Sequence, residues 1–277
     1  MKKSRRQALG QHFLHNRGIL AKIIRAIDPK KDELVIEVGP GRGALTFPLA
    51  EKAGLVLAVE KDSRLIPGLQ ERAPANVVVL GADVLRVSFR KVLKDYPMFA
   101  PPVKLAGNIP YSISSPLLFK VLEEKALFSR CVFLLQKEFA RRVCASAGSK
   151  DYARLSILVQ MHFETSMLVT VSPASFSPPP RVDSALVLLQ KRQAPLFDLP
   201  DPKAFGAFLQ AAFGHRRKTL MNNLLAAGYE RPALEAAFAQ AGLDPKARAE
   251  SLSIGQLVQL FNLDIIQKAP ISSRQHS

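Results

Sequence analysis

The chain is poor in cysteine and poor in acids. Its 277 residues include only Cys131 and Cys144. Neither stands at a metal-ligand spacing, and Cys131 lies in an apolar run. Buried, reduced thiols in a reducing compartment are therefore expected, rather than a disulfide framework. The five histidines are scattered and form no zinc pattern. No apolar run reaches the roughly 18 residues of a membrane span. Gln11, His12, His15, Asn16 and Arg17 interrupt the basic N-terminus and leave no apolar core for a signal peptide. A soluble, cytoplasmic protein is the expectation. Nothing demands a dimer, so a monomer is expected.

Acids are outnumbered 23 to 39 by Lys and Arg, which leaves a net charge of +16 and a pI near 10.1. Such a balance speaks of partners rather than of fold. RNA, DNA or an anionic membrane surface would all fit. No long amphipathic basic helix stands out as an anchor, so nucleic acid is favoured. The basic residues cluster at positions 2–6 and 86–94, at Arg141-Arg142, and at Arg216-Arg217-Lys218. The first cluster reads as a mobile tail or an electrostatic arm for phosphates.

A chain of this length with 48% hydrophobic residues can bury a sizeable core. After a helical pattern ending at Pro29, short apolar runs at 34–38, 55–59, 77–80, 103–107 and 131–135 read as strands. Residues 136–142 read as a short helix with a basic face. Residues 155–159 fit either strand or helix, and 168–171 and 185–189 read as further strands that could form a hairpin. Between them, 172–182 holds so many prolines that no regular element is expected there. Residues 193–202 carry three prolines and two acids and read as a linker. The chain after the linker reads as helical, with Phe205, Phe208, Leu209 and Ala212 on one face, and its end beyond 266 reads as loosely ordered. The expected division is 1–192, an α/β domain, and 193–277, a small all-α domain carrying a basic ridge.

The chemistry-bearing residues sit at strand ends. The first strand runs into Gly39-Pro40-Gly41-Arg42-Gly43 and a helix start, the arrangement by which backbone approaches a nucleotide. Gly39, Gly41 and Ala44 also match a dinucleotide pattern, so the turn alone does not separate NAD from S-adenosylmethionine. Glu60 ends the next strand, where a carboxylate can take both ribose hydroxyls. Asp83 follows the third and can accept from an adenine amine. Asn108-Ile109-Pro110-Tyr111 follows the fourth. Asn108 offers a side-chain carbonyl to an exocyclic amine, and Pro110 biases Ile109 to an extended shape. Tyr111 offers a flat face for a base, a stack contributing ~1–3 kcal/mol. Phe176, held among prolines, could pack inward or form a second face of a base clamp. In a parallel sheet these strand ends line up along one edge, where ligands collect.

With these residues assembled, the chain resembles the ribosomal RNA small-subunit adenine N6,N6-dimethyltransferase family, from about position 9 to 260. The motifs that carry the resemblance are Leu9-Gly10-Gln11-His12-Phe13-Leu14, residues 37–43, Glu60, Gly81-Ala82-Asp83, Asn108 to Tyr111, residues 176–184, and 213–218. His12 stands where the family often has Asn, and Ile109 where it often has Leu. Only eight residues precede the first motif, which aligns the chain with the bacterial type rather than a mitochondrial one.

The resemblance implies a class I methyltransferase: a Rossmann-like mixed sheet with a small helical, RNA-binding C-terminal domain. It implies S-adenosylmethionine as methyl donor, held by His12, Leu14, Gly39, Glu60, Asp83 and Asn108, with no metal. It implies Asn108 and Tyr111 as catalytic residues, and Tyr111 and Phe176 as substrate-binding ones. The substrate implied is two adjacent adenosines in a hairpin near the 3′ end of 16S rRNA, each methylated twice in the small ribosomal subunit or its precursor, during ribosome biogenesis. The competing readings are a resistance methylase acting on large-subunit rRNA, an NAD-dependent dehydrogenase, and a non-catalytic assembly factor. The dehydrogenase leaves residues 108–111 without a role.

Overall fold

The computed structural model describes residues 11–263. The basic cluster at 2–6, Leu9 and Gly10 of the first motif, and the end of the chain beyond 263 lie outside the described residues. The chain divides into two compact units. One comprises residues up to 141 together with 162–193, and the other 142–161 together with the residues from 194 on.

The first unit is built on a seven-stranded sheet. In chain order its strands are β2 (Leu34–Val38), β3 (Leu55–Glu60), β4 (Val77–Gly81), β5 (Val103–Asn108), β6 (Phe128–Gln136), β7 (Phe163–Val171) and β9 (Ser184–Lys191). They lie in the order β4-β3-β2-β5-β6-β9-β7. The first five are parallel, and β9 pairs antiparallel with both β6 and β7. All residues of β2 and β3 are buried, which explains their unbroken apolar runs: a parallel strand covered on both faces has no solvent side to alternate with. Edge strand β7 is mostly exposed between its buried ends.

Helix α1 (Arg17–Ile27) buries Ile23 and Ile27 in a core with Val35, Val56, Ala106 and Val132. Asn16 caps its start through Ile19 N–H, and Asp28 ends it at φ 49° with its N–H on Ile24 O. Short helices α2 (Thr46–Ala50), α3 (Ile66–Gln70) and α4 (Phe89–Leu93) link the parallel strands, and α5 (Ser114–Glu123) follows β5. A second, two-stranded sheet pairs β1 (Phe13–Leu14) with β8 (Phe176–Ser177). This corrects the expectation of a wholly irregular 172–182: the prolines at 173 and 178 bracket four residues that keep a backbone N–H, and the last two of them, Phe176 and Ser177, pair with β1.

The second unit is helical. Its helices include α7 (Arg154–Gln160), α8 (Pro202–Ala212), α9 (Leu220–Ala226), α10 (Arg231–Gln240) and α11 (Ile254–Phe261), and α6 (Lys137–Cys144) spans the boundary at 141. The Phe205, Phe208 and Phe261 rings meet with centroids 5.2–6.1 Å apart. Such aromatic pairs add roughly 0.5–1.5 kcal/mol each beyond their buried area. Tyr152, Ile157 and Met161 belong to this same core. The expected division put 142–161 with the α/β domain; the helical unit instead takes in 142–161, whose apolar side chains pack with the helices from 194 on. The ambiguous 155–159 is helical. No helix among the described residues is long and apolar enough to cross a membrane.

Candidate active site

A cavity of about 790 Å³ opens at the carboxyl ends of β2, β3 and β5. Its floor is the glycine turn. Gly41 adopts φ +61°, which disfavours any side chain, and a Cβ there would crowd the Phe13 ring at 3.0 Å. Gly39 N–H donates to Val59 O at 3.0 Å, which ties the turn to the end of β3.

Glu60 is buried, 5% exposed. Its Oε2 accepts from Gly41 N–H at 3.0 Å and its Oε1 from Asp62 N–H at 2.7 Å. Burial raises its carboxyl above the ordinary value, and the backbone donors pull it back. Each oxygen keeps a lone pair for a hydroxyl at the cavity. Asp62, held well below the usual carboxylate range by Arg64, also accepts from Gln11 Nε2 at 3.2 Å. That bond fastens the start of the described chain to the rim.

At the end of β5, Asn108 Nδ2 donates to the backbone carbonyl of His12 at 2.7 Å. The bond fixes the amide's orientation and leaves Oδ1 as its acceptor. Ile109 is buried and its N–H donates to Leu134 O at 3.1 Å. Pro110 O accepts from Ile113 N–H at 3.0 Å as the chain enters a helical turn. Pro110 O thus has a local donor, which leaves Ile109 O as the backbone acceptor beside Asn108. The Tyr111 hydroxyl meets Ser184 Oγ at 2.7 Å, and its half-buried ring has a raised pKa through burial.

Of the residues singled out in the sequence, His12, Leu14, Gly39, Glu60, Asn108 and Tyr111 line this one cavity; Asp83 and Phe176 do not. Asp83 follows β4, whose Gly81 is in register with Glu60. Its Oδ2 pairs with Lys61 Nζ at 2.7 Å and its Oδ1 accepts from Leu85 N–H at 3.1 Å. Lys61 holds its pKa below the ordinary value. Phe176 is 3% exposed and packs in the sheet core with Leu14 and Leu186. The clamp expected of it is thus corrected to inward packing. Strand β8 turns its ring to the core, and the chain contributes Ser177 and Pro178 to the cavity instead.

Among the lining residues to which the sequence assigned no site role are three charged ones, Glu37, Arg17 and Arg42. Glu37 is 2% exposed on β2, and its Oε2 has no hydrogen-bond partner. Burial pushes its carboxyl up to about 8, a neighbouring Thr46 hydroxyl opposing and Glu60 adding to the rise. An acid inside an otherwise apolar strand was the available signal. Arg42 lies over the Phe13 ring, 5.1 Å from its centroid.

The comparisons with known proteins cover nearly the whole chain. The family model described as ribosomal RNA adenine dimethylase matches residues 2–265. Ribosomal RNA small subunit methyltransferase A of Geobacter sulfurreducens is 41% identical over 92% of this chain and 93% of its own. The protein of the same name from Xanthomonas campestris pv. campestris is 40% identical over 94% and 96%. Among solved structures, a dimethyladenosine transferase from Plasmodium falciparum superposes with a TM-score of 0.74 at 29% identity, covering 90% of this chain and 96% of that one. The 23S rRNA methyltransferase ErmE does so at 0.70 and 29%, covering 90% and 98%. The chain belongs to the ribosomal RNA adenine dimethylase family.

Proposed function

We propose that this chain dimethylates the N6 amines of two adjacent adenosines in a hairpin near the 3′ end of 16S rRNA, within the small ribosomal subunit or its precursor. The observation that carries this is the Asn108 amide. Its Nδ2 is spent on His12 O, so its Oδ1 serves as an acceptor in the same cavity as the glycine turn and Glu60.

The residues present fit S-adenosylmethionine. Glu60 is oriented by two backbone donors and suits a ribose diol. The orphaned Oε2 of Glu37 suits an ammonium group. Asp83 is assigned to the adenine amine on its place at the strand end next to Glu60. Leu14 and Gly39 shape the cavity wall around the donor. When bound, the cofactor supplies a methyl group on a cationic sulfur.

The chain's own task is to make an aromatic amine nucleophilic. The N6 lone pair of adenine is delocalised into the ring. Hydrogen bonds from N6–H to Asn108 Oδ1 and Ile109 O favour a tetrahedral nitrogen and localise that pair. The rest is positioning. The alkylated amine is acidic and releases its proton without a dedicated carboxylate. The target base leaves its stack at a cost of a few kcal/mol, which stacking on Tyr111 offsets by ~1–3 kcal/mol.

Exposed Arg217 and Lys218, next to the N-cap of α9, suit rRNA phosphates in the helical unit. The small subunit is favoured as substrate by the 40–41% identity to small-subunit enzymes, against 29% to the 23S enzyme. Radiolabelled methyl transfer to unmethylated small subunits, followed by mapping of the modified bases, tests the reading. Label on two adjacent adenosines near the 3′ end is expected; label confined to large-subunit rRNA, or no transfer, overturns it.

A further inference from the structure

The basic loop between α8 and α9 is held from beneath by a single amide. His215, Arg216, Arg217 and Lys218 are all exposed. Arg216 turns back on its own unit, with Nη2 donating to Lys150 O and Nε 3.9 Å from a Glu250 carboxylate oxygen. Arg217 and Lys218 pair with no acid among the described residues. Asn223 of α9 is buried, 4% exposed, and all its polar groups are spent on the loop and the helix end before it. Oδ1 accepts from His215 N–H at 3.1 Å, and Nδ2 donates to Ala212 O at 2.8 Å and to His215 O at 3.1 Å. A flipped amide would set its oxygen against two carbonyls, so these partners dictate its orientation. Ala212 O is one of the carbonyls that the end of α8 leaves without an internal partner. Asn is a poor helix former, and a buried amide costs stability unless it is bonded. Leu220, Met221 and Leu224 of the same helix are buried and apolar. What Asn223 does that a leucine could not is hold the His215 backbone.

We propose that Asn223 is a positioning residue for rRNA binding: its amide fixes the backbone at His215 so that Arg217 and Lys218 are presented together to neighbouring phosphates. The proposal rests on the functional reading above, in which these two side chains meet rRNA phosphates. Lys218 N–H closes a turn on the same His215 O, at 3.1 Å. The loop is thus built around one carbonyl that Asn223 grips. Without that grip the two charges scatter, and ordering them again on binding offsets what each phosphate contact gains.

Steady-state methyl transfer to unmethylated small subunits, with equilibrium binding of the particle across a salt series and urea unfolding of each variant, tests this. In Asn223→Ala, KM for the particle rises about tenfold near ~0.15 M salt, as for two lost single-strand phosphate contacts, while kcat is unchanged. The slope of log K against log salt falls by about 1.4, the same as in Arg217→Gln with Lys218→Gln, and adding Asn223→Ala to that pair raises KM no further. Asn223→Ser keeps one hydroxyl for the loop and loses less stability; it raises KM in the same direction, and it decides the matter where the alanine chain does not fold. An amide needed only for folding would lower the folded fraction and the apparent kcat at unchanged KM, and that result overturns the proposal. A further rise in KM when Asn223→Ala is added to the Arg217→Gln, Lys218→Gln pair overturns it equally. Wild-type KM and salt slope in that pair alone overturn the phosphate reading itself, whatever Asn223 does.

Discussion

Replacing Glu37 with Gln should change how stability depends on pH. The carboxyl lies inside β2, 2% exposed, and burial lifts it from the ordinary 4.5 to about 8. A native pKa above the unfolded one means that the folded chain keeps a proton the unfolded chain gives up. The associated stability is complete below pH 4.5 and is lost progressively as pH rises to about 8. Each pH unit in that interval costs about 1.4 kcal/mol, so the change between pH 5 and 8 amounts to about 4 kcal/mol. The amide of the Glu37→Gln variant has no proton to lose. The variant's stability relative to the wild type therefore climbs by about 4 kcal/mol over the same range, and levels off above it. Urea unfolding of both proteins at several pH values, followed by circular dichroism, measures this difference. Every other titrating group is common to the two chains and cancels. Profiles that run parallel to within about 1 kcal/mol, with equal m-values, would show that Glu37 is ionised in the folded protein and would refute the reasoning.

The same proton gives a second readout. If Glu37 meets the cofactor's ammonium, binding at pH 7 releases close to one proton, and the calorimetric binding enthalpy then varies with the ionisation enthalpy of the buffer; buffer-independent enthalpies count against it. Asn108→Ala removes the oriented acceptor, so turnover should be lost while particle affinity survives; wild-type rates in this variant end the proposed mechanism. Phe176→Ala should destabilise by about 3–5 kcal/mol, as for other buried rings. Phe176→Leu should fold and keep kcat/KM within about tenfold, and a much larger loss at unchanged Tm would restore the clamp. Arg217→Gln with Lys218→Gln should weaken particle binding and reduce the slope of log K against log salt by about 1.4, near 0.7 per phosphate contact on single-stranded RNA; an unchanged slope places the contacts elsewhere.

What was legible in the sequence was what neighbours in the chain decide. A strand, a glycine turn and a helix start are adjacent residues, and so are an apolar run and the Asn108 amide that ends it. Once four such runs are read as parallel, the sheet brings Gly39, Glu60 and Asn108 to one edge. What was not legible depends on which surface covers a residue. The apolar side chains of Tyr152, Ile157 and Met161 would fit either core, and nothing local assigns them to the helical one. Glu37 looks like any acid beside a turn until both faces of β2 are known to be covered.

The pairing of β1 with β8 is the sharpest case. It joins Leu14 to Phe176 across most of the α/β unit, and two residues on each side carry no recognisable strand pattern. Yet that pairing turns Phe176 inward. In the same region Pro178 O meets the His12 imidazole, 166 positions away in the chain. The burial of Phe176 and the His12–Pro178 contact both depend on where these two loops meet, which the composition of neither loop encodes.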